Sequence, residues 1–154
     1  SVLAGTPARL IADFFAFPGT DALNLRNGAF VAAGDVTGDG FADLVFGGGP
    51  GGAPRVFVLS GALVSAGDVA GAQANPVANF FVADDTAGRG GARVATVDAD
   101  GDGRADLAVG SGAGEPARVR VYLAPDLTTG GEPAAFQDLT PFGGAVLTDG
   151  VYVG

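Results

Sequence analysis

Short apolar runs broken by glycine, proline and aspartate recur along the whole chain. One set reads GAFVAAGD (28–35), ADLVFGGG (42–49), PRVFVLSG (54–61) and PVANFFVAD (76–84), and a second reads GARVATVD (91–98), ADLAVGSG (105–112), ARVRVYLA (117–124) and the more polar PAAFQDLTPF (133–142). Runs this short, rich in Val, Phe and Leu and bounded by turn residues, predict strands rather than helices. In the seventh run Arg118 and Arg120 alternate with Val119 and Val121, as in a strand with one polar face. The connections, such as Ser60 to Asn75, read as inter-strand loops.

The second set repeats the first at an offset of 63 residues, without a gap from Gly28/Gly91 to Leu59/Tyr122, and 17 of those 32 paired positions are identical. Shared glycine richness does not produce that agreement, so the chain contains a duplicated unit. Partial copies flank it: SVLAG (1–5) with ARLIADFFAF (8–17) resembles a third and fourth run, and GVYVG (150–154) a first run. The expected organisation is therefore 1–27 as the end of a preceding unit, 28–90 and 91–149 as complete units, and 150–154 as the opening strand of a following one. A four-stranded antiparallel sheet cannot bury both faces alone. The expected fold is all-β, with such sheets stacked face to face as β-propeller blades. Ring closure takes about 4 to 8 blades, so the chain is expected to be part of a longer protein, as its lack of an initiator Met also suggests, or to assemble with copies of itself. An open β-solenoid is the alternative, less well matched to four distinct strands per unit.

Between the first and second run of each unit lies an acidic loop, DVTGDGFADL at Asp35 to Leu44 and DADGDGRADL at Asp98 to Leu107. Oxygen donors fall at alternate positions: Asp35, Thr37, Asp39, the carbonyl of Phe41 and Asp43 in the first; Asp98, Asp100, Asp102, the carbonyl of Arg104 and Asp106 in the second. Calcium takes six to eight oxygens at roughly 2.3–2.6 Å, and a tight loop turns alternate oxygens to a common point. Gly40 and Gly103 permit the sharp turn. Neither loop has the glutamate that closes an EF-hand, and Leu44 or Leu107 leads into a strand. Asp-Gly pairs also make metal-free hairpin turns. Hairpins do not require spaced carboxylates, however, and like charges about 4 Å apart repel by roughly 4 kcal/mol per pair at an effective dielectric of about 20.

Composition sharpens this picture. At 47% hydrophobic and 16% charged the 154 residues can bury a core. A net charge of −9 and a pI near 4.1 argue against nucleic acid or anionic lipid as partners. Seven of the seventeen acidic residues lie in the two loops, where a cation would neutralise them. Cys and His are absent, which removes the usual zinc, copper and iron ligands, disulfides, and His-based or Cys-based nucleophilic catalysis. No run of about 18 apolar residues is present to span a membrane.

Together the two loops and the Phe46-Gly47 followed by Gly52-Ala53-Pro54 resemble FG-GAP or VCBS repeats, the calcium-loop propeller blades of integrin α-subunits and bacterial surface proteins. The second unit departs from the name-giving motif, with Val109-Gly110 followed by Gly114-Glu115-Pro116, but keeps its acidic loop. The resemblance implies two calcium sites, an extracellular or cell-surface location, and structural or adhesive work without catalysis. Its implied partners are further blades of the same protein or copies of the chain, together with an extracellular protein or glycan ligand. A lectin or integrin-like binding module, or the non-catalytic part of a carbohydrate-active enzyme, is the alternative.

Other residues carry weaker signals. The pairs Phe14/Phe15 and Phe80/Phe81 suit wedges between sheets better than a sugar platform. Arg55 and Arg118 open equivalent strands and suit structural ion pairs or a solvated strand face better than an acidic ligand. GGGPGG (47–52) and GSGAG (110–114) lack a phosphate-loop lysine and read as turns. Asp84 and Asp85 read as a solvated turn rather than an acid–base pair.

Overall fold

A computed structural model describes residues 11–21 and 27–154. Eight strands form two four-stranded antiparallel sheets, each in chain order. The first sheet contains β1 (Ala29–Gly34), β2 (Asp43–Gly48), β3 (Arg55–Leu59) and β4 (Ala78–Phe81). The second contains β5 (Ala92–Val97), β6 (Asp106–Ser111), β7 (Val119–Tyr122) and β8 (Gln137–Leu139). Every strand lies inside one of the eight apolar runs. The register repeats with the sequence: Ala29 pairs with Gly48 and Gly34 with Asp43, as Ala92 pairs with Ser111 and Val97 with Asp106.

The sheets pack face to face. Val45, Val56, Val58, Ala78 and Phe80 of the first meet Ala92, Val94, Leu107, Val109 and Tyr122 of the second in one buried cluster. Phe80 and Tyr122 meet edge to face with ring centroids 5.1 Å apart, a geometry that favours aromatic pairs beyond their buried area. On the opposite face of the first sheet Phe46, Phe57 and Leu59 pack with Phe17, Val64 and Ala72. Central strand β3 is therefore buried on both faces, which explains its continuous apolar sequence.

β2 and β5 approach closely because of Gly47: a Cβ there would overlap the Ala92 carbonyl oxygen, and one at the equivalent Gly110 would overlap that of Val151. The glycine clusters expected to be turns thus also provide contact between adjacent backbones.

Two expectations take a different form. The segment 60–75 holds two short helices, α1 (Gly61–Ser65) and α2 (Val69–Ala74), capped by the Ser60 and Asp68 side chains. Their Val64 and Ala72 cover the second core. Strand β7 also turns Arg120 inward: it lies on the Tyr122 side, is 9% exposed and pairs with Glu132, while Arg118, just before the strand, stays exposed. Residues 1–10, part of the run expected to end a preceding unit, lie outside the described residues; 11–17 form no strand. Residues 151–154 form none either, although the Val151 N–H donates to the Ser111 carbonyl at 2.9 Å.

Candidate metal centre

The loops 35–42 and 98–105 join the first two strands of each sheet. Gly38 and Gly40 have φ of 75° and 87°, and Gly101 and Gly103 of 81° and 88°, left-handed values that coil each loop tightly. The coil turns backbone donors inward. Asp35 Oδ1 accepts from the N–H groups of Gly38 and Asp39 at 2.7 and 3.1 Å, and Oδ2 from Gly40 at 2.9 Å. Asp98 accepts from Gly101 and Gly103 at 2.8 and 3.1 Å. Within the loops Phe41 donates to Asp39, Arg104 to Asp102, and Asp102 to Asp100. The Gly40 N–H, aided by those of Gly38 and Asp39 and by the Arg104 charge, holds the Asp35 carboxyl below its ordinary 3.8.

The last carboxylate of each loop is fully buried. Asp43 Oδ2 accepts from Val36 and Thr37 at 3.0 and 2.9 Å and Oδ1 from Gly61 at 2.8 Å. Asp106 accepts from Ala99 at 2.9 Å and Ala124 at 2.8 Å, the same arrangement displaced by one unit. Each therefore clamps its own loop to the segment after the third strand. A carboxylate offers about four lone-pair sites; Asp106 engages two and Asp43 three, so Asp106 retains more capacity for a cation.

In the second loop Asp98, Asp100 and Asp106 bring carboxylate oxygens within 4.8 Å of one another. Asp102 stands outside that group, and the first loop makes no such group of three among the described residues. There Thr37 replaces an aspartate, and its buried Oγ1 has no hydrogen-bond partner. An unpaired buried hydroxyl is costly, and a hard oxygen in this position suits calcium. The donor sets of both loops are oxygen only, which fits calcium and excludes a thiolate or imidazole metal.

The loops touch. The Ala105 N–H donates to the Asp35 carbonyl at 2.9 Å, and Thr96 Oγ1 donates to the Ala33 carbonyl at 2.9 Å. The Arg104 side chain crosses from the second loop onto Gly38 of the first, where a Cβ would lie 2.8 Å from its Nε.

Other signals resolve into structure. Phe80 is a core wedge, Phe14 meets Phe46 edge to face, and Phe15 is exposed. Arg55 pairs with Asp21 and Arg118 with Asp138. Asp84 accepts from the Glu132 N–H and Asp85 from those of Ala87 and Gly88, so the two engage separate backbone donors. Sequence reasoning missed Glu132, which accepts from Arg120 and from the Tyr122 hydroxyl, the latter at 2.5 Å. Glu132 lies beyond the identical part of the repeat, which removes the signal that exposed the loops. It also missed Arg93, which lies between the Phe30 and Tyr152 rings at 4.1 and 4.8 Å.

Residues 90–123 match the family model of the FG-GAP repeat. No curated protein and no solved structure matches the chain. Among the described residues no helix is long and apolar enough to cross a membrane.

Proposed function

We propose, from the match of residues 90–123 to the FG-GAP repeat model, that the chain is a calcium-stabilised β-propeller segment of a large secreted or cell-surface protein, with a structural or adhesive role rather than a catalytic one. The carrying observation is the convergence of Asp98, Asp100 and Asp106 within 4.8 Å. Ionised carboxylates held so close repel unless a cation lies among them. Asp102, which stands outside that group, and the Arg104 carbonyl are assigned as the remaining donors of this site. The unpartnered Thr37 Oγ1 supports the equivalent assignment in the first loop, with Asp35, Asp39, the Phe41 carbonyl and Asp43 as its other donors. Calcium, when bound, supplies the positive charge that the clustered carboxylates lack.

Propeller stacking is supported by a comparison of the two sheets. Val45, Val56, Val58, Ala78 and Phe80 of the first are at most 1% exposed beneath the second. Their equivalents on the second are Ala108, Val119, Val121, Gln137 and Leu139, of which Leu139 is 50% exposed although Val121 is buried. That outer face suits a further sheet, from another blade of the same protein or a copy of this chain. Val151 already lies against Gly110 as Ala92 lies against Gly47.

The proposed mechanism is linkage, in which an ion bound only by the folded loop stabilises it by about 2.7 kcal/mol per site at a hundredfold excess over Kd. Extracellular calcium modules commonly bind at roughly 0.1–1 mM, so such sites fill outside the cell. Thermal denaturation and limited proteolysis with millimolar calcium or with chelator test this. Raised stability and slower cleavage in calcium are expected; identical behaviour in both overturns the reading.

A further inference from the structure

We propose that the two loops bind calcium as a coupled pair through the peptide unit between Arg104 and Ala105, so that filling the second loop tightens the first. The inference rests on the calcium reading above and adds an interaction that two independent sites would lack. One end of this peptide is the Arg104 carbonyl, assigned above as a donor of the second site. Its other end, the Ala105 N–H, donates at 2.9 Å to the carbonyl of Asp35, the opening residue of the first. A rigid planar unit cannot turn its oxygen toward one site without fixing its N–H toward the other.

The contact around this peptide is close. A Cβ on Gly34, the residue before Asp35, would lie 2.7 Å from the Ala105 Cβ and 2.9 Å from the Thr96 Cβ, so glycine is what lets the second loop reach the first. Thr96 secures the same junction through the Ala33 carbonyl. Arg104 adds a side chain laid along Gly38. The counterpart of Gly34 in the second unit is Val97, which is 44% exposed.

Coupling is a free energy shared between sites and is reciprocal. Here its source is ordering: once the second loop is filled, the 104–105 peptide is fixed, and Asp35 loses less conformational freedom when the first loop fills. Repulsion between two dications acts in the opposite sense and is screened beyond about 8 Å at physiological salt.

The test is a calcium chloride titration of the full chain in 0.15 M salt, followed by the amide resonances of Gly40 and Gly103, one reporter per loop. It is repeated on D100N/D102N, which disables the second loop while sparing the buried clamp Asp106, and on Gly34→Ala, with circular dichroism to confirm folding. In the parent chain the Gly40 midpoint is expected at several-fold lower calcium than in D100N/D102N. In Gly34→Ala both reporters still titrate, and the Gly40 midpoint moves to within twofold of that in D100N/D102N. A Gly40 midpoint unchanged within twofold between the parent and D100N/D102N overturns coupling and leaves the calcium reading intact. Absence of any response at either glycine at millimolar calcium overturns both.

Discussion

Replacing Asp43 by alanine isolates the clamp from the metal site. The substitution strips the acceptor from three backbone donors, Val36, Thr37 and Gly61, at a position with no exposed surface. A buried donor left unsatisfied costs about 1–3 kcal/mol. Allowing for water entering the space, the loss is roughly 3–6 kcal/mol, a large part of the ~5–15 kcal/mol that holds a domain folded. Asp106→Ala orphans only two donors, Ala99 and Ala124, so it should cost roughly 2–4 kcal/mol by the same reasoning. Asp43→Asn keeps an oxygen for two donors but sets its amide against the third, which places it between alanine and the parent. Urea denaturation followed by circular dichroism, in chelator, measures all three. A loss below about 1 kcal/mol for Asp43→Ala in chelator would refute the clamp. A loss that appears only in calcium would instead make Asp43 primarily a ligand.

Three further outcomes follow from the packing and the titratable groups. Gly47→Ala drives a methyl into the Ala92 carbonyl at the sheet junction, and a melting temperature lowered by an overpacking cost of about 1–3 kcal/mol is expected, whereas an unchanged melt would deny the close approach. Asp35 is held below its ordinary 3.8 by the Gly40 N–H, Asp85 by the Gly88 N–H and Asp138 by the Arg118 hydrogen bond. Their stabilisation is complete above that value and disappears as pH falls through the lower folded values. In chelator the melting temperature of Asp138→Asn should therefore fall less than the parent's as pH drops below about 4, the ordinary carboxylate range, and equal falls would count against the pairing. Burial, reinforced by the Glu132 carboxylate, raises the Tyr122 phenol above its ordinary 10.0. Its contribution to stability is complete below that value and is lost as pH rises above it; of the two tyrosines, Tyr122→Phe should remove the share of the 295 nm absorbance rise that coincides with alkaline unfolding, and an unaltered rise would show that Tyr122 ionises elsewhere.

The amino-acid sequence by itself determined what is local. Apolar runs bounded by glycine and proline marked all eight strands, and alternate oxygen donors marked both acidic loops. Hydrogen bonds such as Gly38 and Gly40 to Asp35 span only three and five residues. Such contacts depend on chain geometry over a few residues, and the 63-residue duplication displayed it twice. Tertiary structure decided what depends on distant segments. Gly61 lies 18 residues from the Asp43 that it clamps, and Glu132 comes from outside the identical repeat to neutralise Arg120. Alternation in β7 identified two faces but not which one would be covered; packing against the first sheet turned Arg120 and Tyr122 inward and left Arg118 exposed. The 104–105 peptide likewise joins the loops only because two sheets stack with Gly34 at their junction, since a repeated sequence specifies each unit while contact between units arises from the surfaces they bury.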